Sequence, residues 1–341
     1  EARQMRQNVG LIDVGTLGKI EVSGPDSVAF LERIYTGKFF RQPVGRIRYA
    51  LACDESGVII EDGVIARLAE DRFYVTATTS GVLTFFRELQ RWALLWRLNV
   101  ALVNATGHWT AMNIAGPRSR EVLSTLTDLD LSPEAFPYLG VREGSVLNGP
   151  ARVMRVGFVG ELGYEIHVPA SRGLHVWSSL MSAGREAGIR PVGVEAQRLL
   201  RLEKGHLIVG QDTDALTHPY EANLAWAIGK NKPFFIGQRS LAILQKQPAT
   251  RRLVGIAFPH DYEGTFPEEC HLVIDGDQIG GRITSIAKRS TLGRVIGLAF
   301  VQPSQDSPGT AVQIRVDGGN LVTGEVTTIP FYDPQNARQD A

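Results

Sequence analysis

Two carboxylates in strand-like segments are the residues of this sequence best suited to chemistry. Asp62 lies in GVIIEDGVI, where five of the nine residues are Val or Ile. A strand this apolar is predicted to be buried on both faces, so Glu61 and Asp62 must each find a partner, a water or a ligand. The alternative is an ordinary acid at a strand edge, or one that pairs with Arg67.

The second carboxylate is Glu165, in the segment GELGYEIHV. Strand alternation puts Glu165 and His167 on one face. The opposite face is apolar and carries Tyr164, Ile166 and Val168. A carboxylate fixed on a strand can accept two parallel N–H bonds from a planar, amidine-like edge, and a pterin presents such an edge through its ring N–H and exocyclic amine. The alternative is a solvated polar face.

The segment RLEKGHLIVGQDTDALTHPYEANLAWAIGK, which begins at Arg201, is polar where a core segment would be apolar. It matches no phosphate loop, metal-ligand spacing or nucleophile elbow. These features favour a pocket for a small polar organic molecule, and Trp226 is predicted to be buried. Arg201 is predicted either to neutralise an anionic ligand or to pair with Glu203 or Asp212.

Composition narrows the function classes. Lys plus Arg and Asp plus Glu are both 36, a balance that argues against a nucleic-acid binder. No apolar run reaches the roughly 18 residues of a membrane span. The two cysteines, Cys53 and Cys270, suit a reducing compartment, so the predicted location is cytoplasmic. The chain starts at Glu1 rather than Met, which leaves open whether the natural N-terminus is present.

Metal and nucleotide sites are not indicated. Asp212 and Asp214 are typical of a loop capped by Asx turns, because they lack the wider oxygen cage of a cation site. The histidines are scattered singly, without metal-like spacing. No G-x-G-x-x-G dinucleotide fingerprint is present.

An internal repeat organises the first half of the chain. A strand, a Gly-Pro pair and a helix occur at Gly24-Pro25 and again at Gly116-Pro117, an offset of 116 − 24 = 92 residues. Further strands and a helix follow each copy. The repeat predicts an α+β fold of two duplicated, ferredoxin-like halves, residues 1–100 and 101–190, which face each other across a central cleft.

The rest of the chain has a different pattern. Residues 191–250 are predicted to be a helical and loop segment that completes the cleft, beginning with a helix that ends near Gly205. Residues 251–335 contain short strands separated by Gly, Asp and Asn turns, which predict a small antiparallel barrel or sandwich. The closing residues PQNARQDA are typical of a frayed end.

Five ordered blocks resemble the aminomethyltransferase (glycine-cleavage T-protein) family over nearly the whole chain. They are GLIDVGTLGKIEVSGPD, ACDESGVIIEDGVI, GFVGELGYEI, RLEKGHLIVGQDTD with EANLAWAIG, and RSTLGRVIGLAFV. RLEKG before IVGQDTD, and the closing PFYDP, resemble the folate-binding C-terminal part of the heterotetrameric sarcosine oxidase alpha subunit. Four departures from the T-protein pattern also favour the sarcosine oxidase resemblance. Gln197 replaces an Arg of the T-protein, and Phe158 replaces a Tyr. Thr78 lies near the position of an Asn, and Glu61 replaces the first of two paired acids.

The resemblance implies a tetrahydrofolate-dependent transferase that moves an aminomethyl or methylene group from a small amine donor. Asp62 would be catalytic, close to N5 or N10 of the folate, and Glu165 would hold the pterin edge. Phe158, Leu17 and Trp226 would supply apolar walls. The rest of the implied folate site is Arg201, which would help to organise the pocket, and Thr78.

Three functions remain open at this point, and they differ in their partners. The chain is a transferase that acts alone or with a lipoyl carrier protein, or a folate-binding unit that captures carbon released by a flavoprotein oxidase subunit. The third is a non-catalytic folate-binding relative, but KGHLIVGQ lacks the Cys of that group's motif. None of the three needs a metal or a nucleotide.

Overall fold

The structure, a computed structural model, describes residues 1–341. Its first elements are α1 (Ala2–Gln7), β1 (Gly10–Asp13), β2 (Gly18–Ser23), α2 (Ser27–Ile34), β3 (Ile47–Cys53), β4 (Ile59–Ala69), β5 (Arg72–Ala77), α3 (Val82–Trp96) and β6 (Ala101–Asn104). The next are β7 (Trp109–Ala115), α4 (Ser119–Ser124), β8 (Val141–Val146), β9 (Gly149–Met154), β10 (Gly163–Pro169), α5 (Gly173–Ala183), β11 (Arg190–Pro191) and α6 (Val194–Glu203). The last are α7 (Gln238–Leu244), β12 (Arg252–Ala257), β13 (Leu272–Asp275), β14 (Gln278–Ala287), β15 (Ile296–Val301), β16 (Ala311–Arg315), β17 (Leu321–Thr327) and α8 (Ala337–Asp340). Short 3₁₀ turns occur at Ala170–Arg172, Ala225–Ala227, Pro303–Gln305 and Asp317–Gly319.

The internal repeat is a repeat of sheet topology. A five-stranded sheet has the order β3-β4-β5-β2-β6, and a six-stranded sheet has the order β11-β1-β7-β10-β9-β8. The four strands β3-β4-β5-β2 therefore have the same order as β8-β9-β10-β7. The mixed α+β fold class predicted from the sequence is confirmed.

Each half of the chain contributes one strand to the sheet of the other half. β1 pairs antiparallel with β7 in the second sheet, and β6 pairs antiparallel with β2 in the first. The predicted boundary between residues 100 and 101 consequently does not separate the sheets. Strand partners at a sheet edge depend on long-range pairing, which the local residue pattern does not encode.

The repeated turn requires glycine at the same position in both copies. Gly24 has φ +119° and Gly116 has φ +123°, in a region that disfavours residues with a Cβ. A Cβ at Gly116 would lie 2.4 Å from the carbonyl oxygen of Asn8, and one at Gly24 would lie 2.7 Å from that of Asn99. Each turn thus holds the strand, the helix that follows and a neighbouring segment together.

Helices α2 and α3 pack on one face of the first sheet, and the second sheet lies between α4 and α5 on one face and α1 and α6 on the other. The two sheets meet through a smaller core. On α3, the buried side chains Val82, Phe85 and Leu89 follow the helical repeat and join the first core. The two sheets meet at a cluster formed by Ile47, Ala66, Tyr74, Val141, Met154 and Val156. Burying a large apolar side chain stabilises a fold by roughly 1.5–3 kcal/mol, so this cluster fixes the sheets relative to each other.

The C-terminal strands close into a six-stranded antiparallel barrel, β12-β15-β14-β13-β16-β17, which confirms the predicted barrel. Leu202 of α6 packs in a cluster with barrel residues such as Leu298 and Phe300. Helix α6 therefore joins the barrel to the sheets. None of the helices has both the length and the apolar character that crossing a membrane requires.

The prediction of a frayed C-terminal end is wrong. Residues Ala337–Asp340 form α8, and Gln339 is buried. The Arg155 guanidinium donates hydrogen bonds to the carbonyl oxygens of Phe136, at 2.7 Å, and Gln339, at 3.3 Å. The end is ordered because the buried arginine needs acceptors and takes them from the backbone of this segment.

Candidate active site

A cavity of about 1360 Å³ lies where the two sheets, the segment after α6 and the edge of the barrel meet. Residues 191–250 contribute to its wall, Gln197 and His206 among them. Six of the seven predicted site residues line it: Leu17, Asp62, Thr78, Phe158, Glu165 and Trp226. The seventh, Arg201, does not. One acid from each sheet therefore faces the same space.

Asp62 reaches the cavity from β4, and its nearest partner is on β3. In the antiparallel register Tyr49 lies opposite Val64, and Leu51 lies opposite Asp62, so Tyr49 is a diagonal neighbour of Asp62. The Tyr49 hydroxyl donates to Asp62 Oδ2 at 2.8 Å. Burial raises the pKa of Asp62 to about 7; the Tyr49 hydrogen bond opposes this shift, and the neighbouring Glu61 adds to it.

The alternative pairing of Asp62 with Arg67 does not occur. The Arg67 guanidinium donates instead to the carbonyl oxygen of Gln42 at 2.7 Å and to Glu70. The expectation that both faces of this strand are buried is also wrong at its start, because Ile60 is 41% exposed. Asp62 is left with a neutral hydroxyl as its only side-chain partner.

Glu61 holds the loop between β5 and α3 through its side chain. Its Oε1 accepts from the backbone N–H groups of Asp62, at 2.9 Å, and Thr78, at 3.0 Å. The Thr78 hydroxyl donates to Oε2 at 2.9 Å. A Cβ at Gly81 would lie 2.2 Å from Oε2, so only glycine leaves room for this carboxylate. Thr78 thus lines the cavity while its hydroxyl is engaged by Glu61.

Glu165 reaches the cavity from β10 of the second sheet. Its apolar neighbours Tyr164, Ile166 and Val168 are fully buried in the core, as alternation predicts. Across the sheet, Glu165 lies opposite Asn113 of β7, which also lines the cavity. A carboxylate and an amide therefore stand side by side on one wall, where together they can both accept and donate hydrogen bonds.

Lys19 was missed from the sequence, although it lies between apolar residues at the start of KIEVS. It is fully buried, and its Nζ donates to the carbonyl oxygens of Gly15, at 2.8 Å, and Leu17, at 2.7 Å. Burial lowers the pKa of Lys19 to about 8, while Glu165 and Asp13 oppose the shift. The buried lysine fixes the turn that places Leu17 in the wall.

Phe158, which was predicted to be an apolar wall, packs against a second ring. Phe158 stacks on His206, with ring centroids 5.5 Å apart and an interplanar angle of 18°. His206 Nδ1 lies 2.9 Å from the Phe158 carbonyl oxygen, which can only accept, so Nδ1 carries the proton. Burial lowers the pKa of His206 to about 4, so the ring is neutral at pH 7. One face of Phe158 is therefore covered by His206.

Trp226 is exposed rather than buried, with 69% of its surface accessible. It lies in the Ala225–Ala227 turn, and its ring is 5.2 Å from that of Tyr49, the partner of Asp62. The sequence pattern suggested burial because most tryptophans are buried. Trp226 is a wall at the mouth of the cavity.

Arg201 lies outside the cavity, in a buried polar cluster between α6 and the barrel. Its guanidinium donates to Asp212 Oδ2 at 2.6 Å and to Ser285 at 2.7 Å. Asp212 Oδ1 accepts from Thr284 and Ser285. The structure thus has the alternative pairing with Asp212, and direct contact with a ligand tail is not available to Arg201.

The family models match both parts of the chain. The GCVT N-terminal domain matches residues 1–232, and the glycine cleavage T-protein C-terminal barrel domain matches residues 251–333. The chain belongs to the glycine cleavage T-protein family. The resemblance inferred from the five sequence blocks is confirmed.

Similar members of the glycine cleavage T-protein family fall into two groups. The chain is 36% identical to the sarcosine oxidase subunit alpha of Corynebacterium sp. (strain P-1), a match that covers all of this chain and 36% of that protein. It is 31% identical to the aminomethyltransferase of Halothermothrix orenii, which covers 97% of this chain and 90% of that protein. The chain thus spans about a third of the first relative and most of the second.

A solved T-protein structure has the same fold. The glycine cleavage system aminomethyltransferase T from Bartonella henselae superposes with a TM-score of 0.86 at 26% identity, and covers 97% of this chain and 88% of that chain. Both sheets and the barrel are therefore elements of the T-protein fold.

The cavity fits the reduced folate that the family resemblance implies. Small-molecule sites usually occupy about 300–1,000 Å³, so a cavity of about 1360 Å³ is large enough for a ligand of this size. Glu165 and Asn113 offer an acceptor and an amide to the polar edge of a pterin. Phe158 keeps one ring face free. These groups suit a flat ligand that is polar along one edge.

Proposed function

We propose that this chain is a tetrahydrofolate-dependent one-carbon transferase that moves an aminomethyl or methylene group from a small amine donor. The observation that carries the proposal is the position of Asp62 and Glu165, which face one cavity from two different sheets. Family membership supports the same chemistry. A cytoplasmic location, suggested by the two cysteines, belongs to this proposal.

Glu165 holds the ligand. Its carboxylate accepts two parallel N–H bonds from the pterin edge, a geometry in which charge-assisted hydrogen bonds are about twice as strong as neutral ones. Leu17, the free face of Phe158 and Trp226 enclose the rings. Since Trp226 is exposed at the mouth, a bound ligand covers it, and water is excluded from the reacting carbon.

Asp62 moves the proton. Tetrahydrofolate supplies the amine nitrogens, N5 and N10, that accept the one-carbon unit. With a pKa of about 7, Asp62 is about half ionised at neutral pH, which is the most effective range for a general base. As the new C–N bond forms, the bond between the carbon and its donor breaks and its electron pair leaves with the donor, while the Asp62 carboxylate accepts the proton that the attacking nitrogen loses. Its negative charge also stabilises positive charge that develops on the donor.

The second candidate is a folate-binding unit within a multisubunit amine oxidase. The match to sarcosine oxidase subunit alpha favours it, because this chain aligns along its full length with about a third of that protein. In this role the chain captures carbon released by a flavoprotein oxidase subunit and forms methylene-tetrahydrofolate. A lipoyl carrier protein is the corresponding partner in the first candidate.

One experiment separates these functions. The purified chain is titrated calorimetrically with tetrahydrofolate, and methylene-tetrahydrofolate is then followed with an aminomethyl-lipoyl carrier or with formaldehyde as the donor. Turnover from the carrier identifies the transferase, and turnover from formaldehyde alone identifies the capture unit. Binding without turnover from either donor identifies a non-catalytic relative. Absence of tetrahydrofolate binding contradicts all three.

A further inference from the structure

A buried line of three side chains runs from the interface of the two sheets to the cavity. The hydroxyl of Tyr74, on β5 of the first sheet, lies 3.0 Å from His167 Nδ1. On β10 of the second sheet, His167 Nε2 lies 3.4 Å from Glu165 Oε2. Tyr74 and His167 are fully buried, and only Glu165 lines the cavity.

The direction of both hydrogen bonds follows from the donor inventory. An ionised carboxylate can only accept, so His167 Nε2 must carry the proton that faces Glu165. A neutral imidazole has one N–H, so Nδ1 is an acceptor and the Tyr74 hydroxyl donates to it. Burial lowers the pKa of His167 and raises that of Tyr74, so both groups are neutral near pH 7.

The charges around this line favour the same state. The Arg152 guanidinium lies 4.1 Å from the centre of the Tyr74 ring and pairs with Glu143 at 2.9 Å. Positive charge on Arg152 and Lys19 opposes protonation of His167, while Glu165 promotes it. The charged groups that act on Tyr74 are Arg152, Glu165 and Glu21. Burial dominates for both rings, which leaves the neutral hydrogen-bonded line as the stable arrangement.

We propose that Tyr74 and His167 are positioning residues that hold Glu165 in a single orientation as a hydrogen-bond acceptor. His167 restrains Oε2, and Oε1 has no partner within the protein, so it remains free for a ligand N–H. Since each carboxylate oxygen has two lone pairs, Oε2 can accept a second N–H beside the one that Oε1 accepts, so the site selects ligands with adjacent N–H donors on one edge. This inference deepens the proposed folate site and rests on it.

A matched pair of variants tests the role in binding. His167→Gln keeps an N–H close to the position of Nε2, whereas His167→Leu is similar in size and has no donor. We expect His167→Leu to weaken tetrahydrofolate binding about tenfold and His167→Gln to weaken it less than threefold, since one hydrogen bond to a charged group separates the two. The loss in His167→Leu should fall on KM for tetrahydrofolate more than on kcat, because Asp62 is untouched. Equal binding by the two variants overturns the proposal.

Nitrogen-15 NMR of the imidazole rings tests the line without any folate. The His167 signals are assigned by their loss in His167→Gln. In the wild-type protein we expect the neutral, Nε2-protonated form throughout about pH 6 to 8, and a mixture of tautomers in Tyr74→Phe, which lacks the donor to Nδ1. An Nδ1-protonated or cationic His167 at pH 7 overturns the inference, whatever the ligand proves to be. Failure of the wild-type chain to bind tetrahydrofolate would instead count against the proposed function.

Discussion

The two acids of the cavity have the same functional group but different surroundings. Asp62, on the first sheet, is buried beside a second acid and has one hydroxyl donor, so its pKa is raised to about 7. Glu165, on the second sheet, has a histidine N–H, an asparagine opposite it and the buried cation Lys19 near it. The first environment favours taking up a proton, and the second orients a carboxylate as a hydrogen-bond acceptor.

The difference shows how a duplicated fold acquires two functions. The sheets share the order of four strands, yet Asp62 lies on β4 and Glu165 on β10, which corresponds to β5 rather than to β4. The repeat therefore supplies two facing walls, and the two acids lie on non-equivalent strands of it. Because burial raises the pKa of Asp62 while a histidine contacts Glu165, we assign the proton-transfer role to Asp62 and the binding role to Glu165.

The largest expected effect comes from removing the proton acceptor. We expect Asp62→Ala to lower kcat by about 10²–10⁴-fold, the contribution of a general base, with little change in tetrahydrofolate affinity. Single-turnover kinetics and calorimetry on the same preparation measure the two quantities, and circular dichroism checks that the variant is folded. Near-normal turnover would remove Asp62 from the mechanism.

Removing the charge of Glu165 is expected to weaken tetrahydrofolate binding with little change in kcat, the opposite of the effect of Asp62→Ala. Glu165→Gln should weaken tetrahydrofolate binding by about 1–3 kcal/mol, because a charged acceptor is lost and one amide N–H then faces the donors of the ligand. At saturating folate, kcat should stay close to wild type. Equal affinity of the variant and the wild-type chain in calorimetry would show that Glu165 does not hold the ligand.

The comparison also predicts a pH-dependent effect on stability. The pKa of Asp62 is about 7 in the folded chain, above its value of about 3.9 in an unfolded one, so the folded state binds more protons between these values. The stabilising contribution of protonated Asp62 is complete below about pH 4 and is lost as the pH rises through 7. Asp62→Asn should therefore raise Tm relative to wild type by more at pH 8 than at pH 5. Thermal unfolding with an equal shift at both pH values would contradict a raised pKa.

The smallest expected effect concerns the Tyr49 hydroxyl, which donates a hydrogen bond to Asp62. The Tyr49 hydroxyl stabilises the ionised carboxylate, so its removal in Tyr49→Phe raises the pKa of Asp62 further. Because the ionised form is the active base, the rising limb of kcat against pH should move from about pH 7 to higher pH. Trp226→Phe, which alters the other aromatic ring at this place, serves as the control and should leave the limb in place. An unmoved limb in Tyr49→Phe would separate this hydrogen bond from catalysis.

Local patterns predicted the parts of the site that depend on strand faces. Alternation in GELGYEIHV was sufficient to place Glu165 on the open face of β10, since Tyr164, Ile166 and Val168 are all fully buried. The turn glycines and the barrel strands were also predicted from the sequence, because residues close to them in the chain determine their conformations.

Long-range pairing supplied what the sequence pattern could not. Tyr49 contacts Asp62 only because of the register between β3 and β4. Arg201 donates hydrogen bonds to Asp212 and to Ser285 of the barrel, and it does not line the cavity. Trp226 was expected to be buried from its type alone, yet its position is decided by the mouth of the cavity. Each of these depends on which elements become neighbours.

The most direct test of the account is a crystal structure of this chain with tetrahydrofolate bound. We predict the pterin edge within hydrogen-bond distance of the Glu165 carboxylate, one ring face against Phe158, and N5 or N10 turned towards Asp62. A folate bound elsewhere, or one whose nitrogens point away from Asp62, would contradict it.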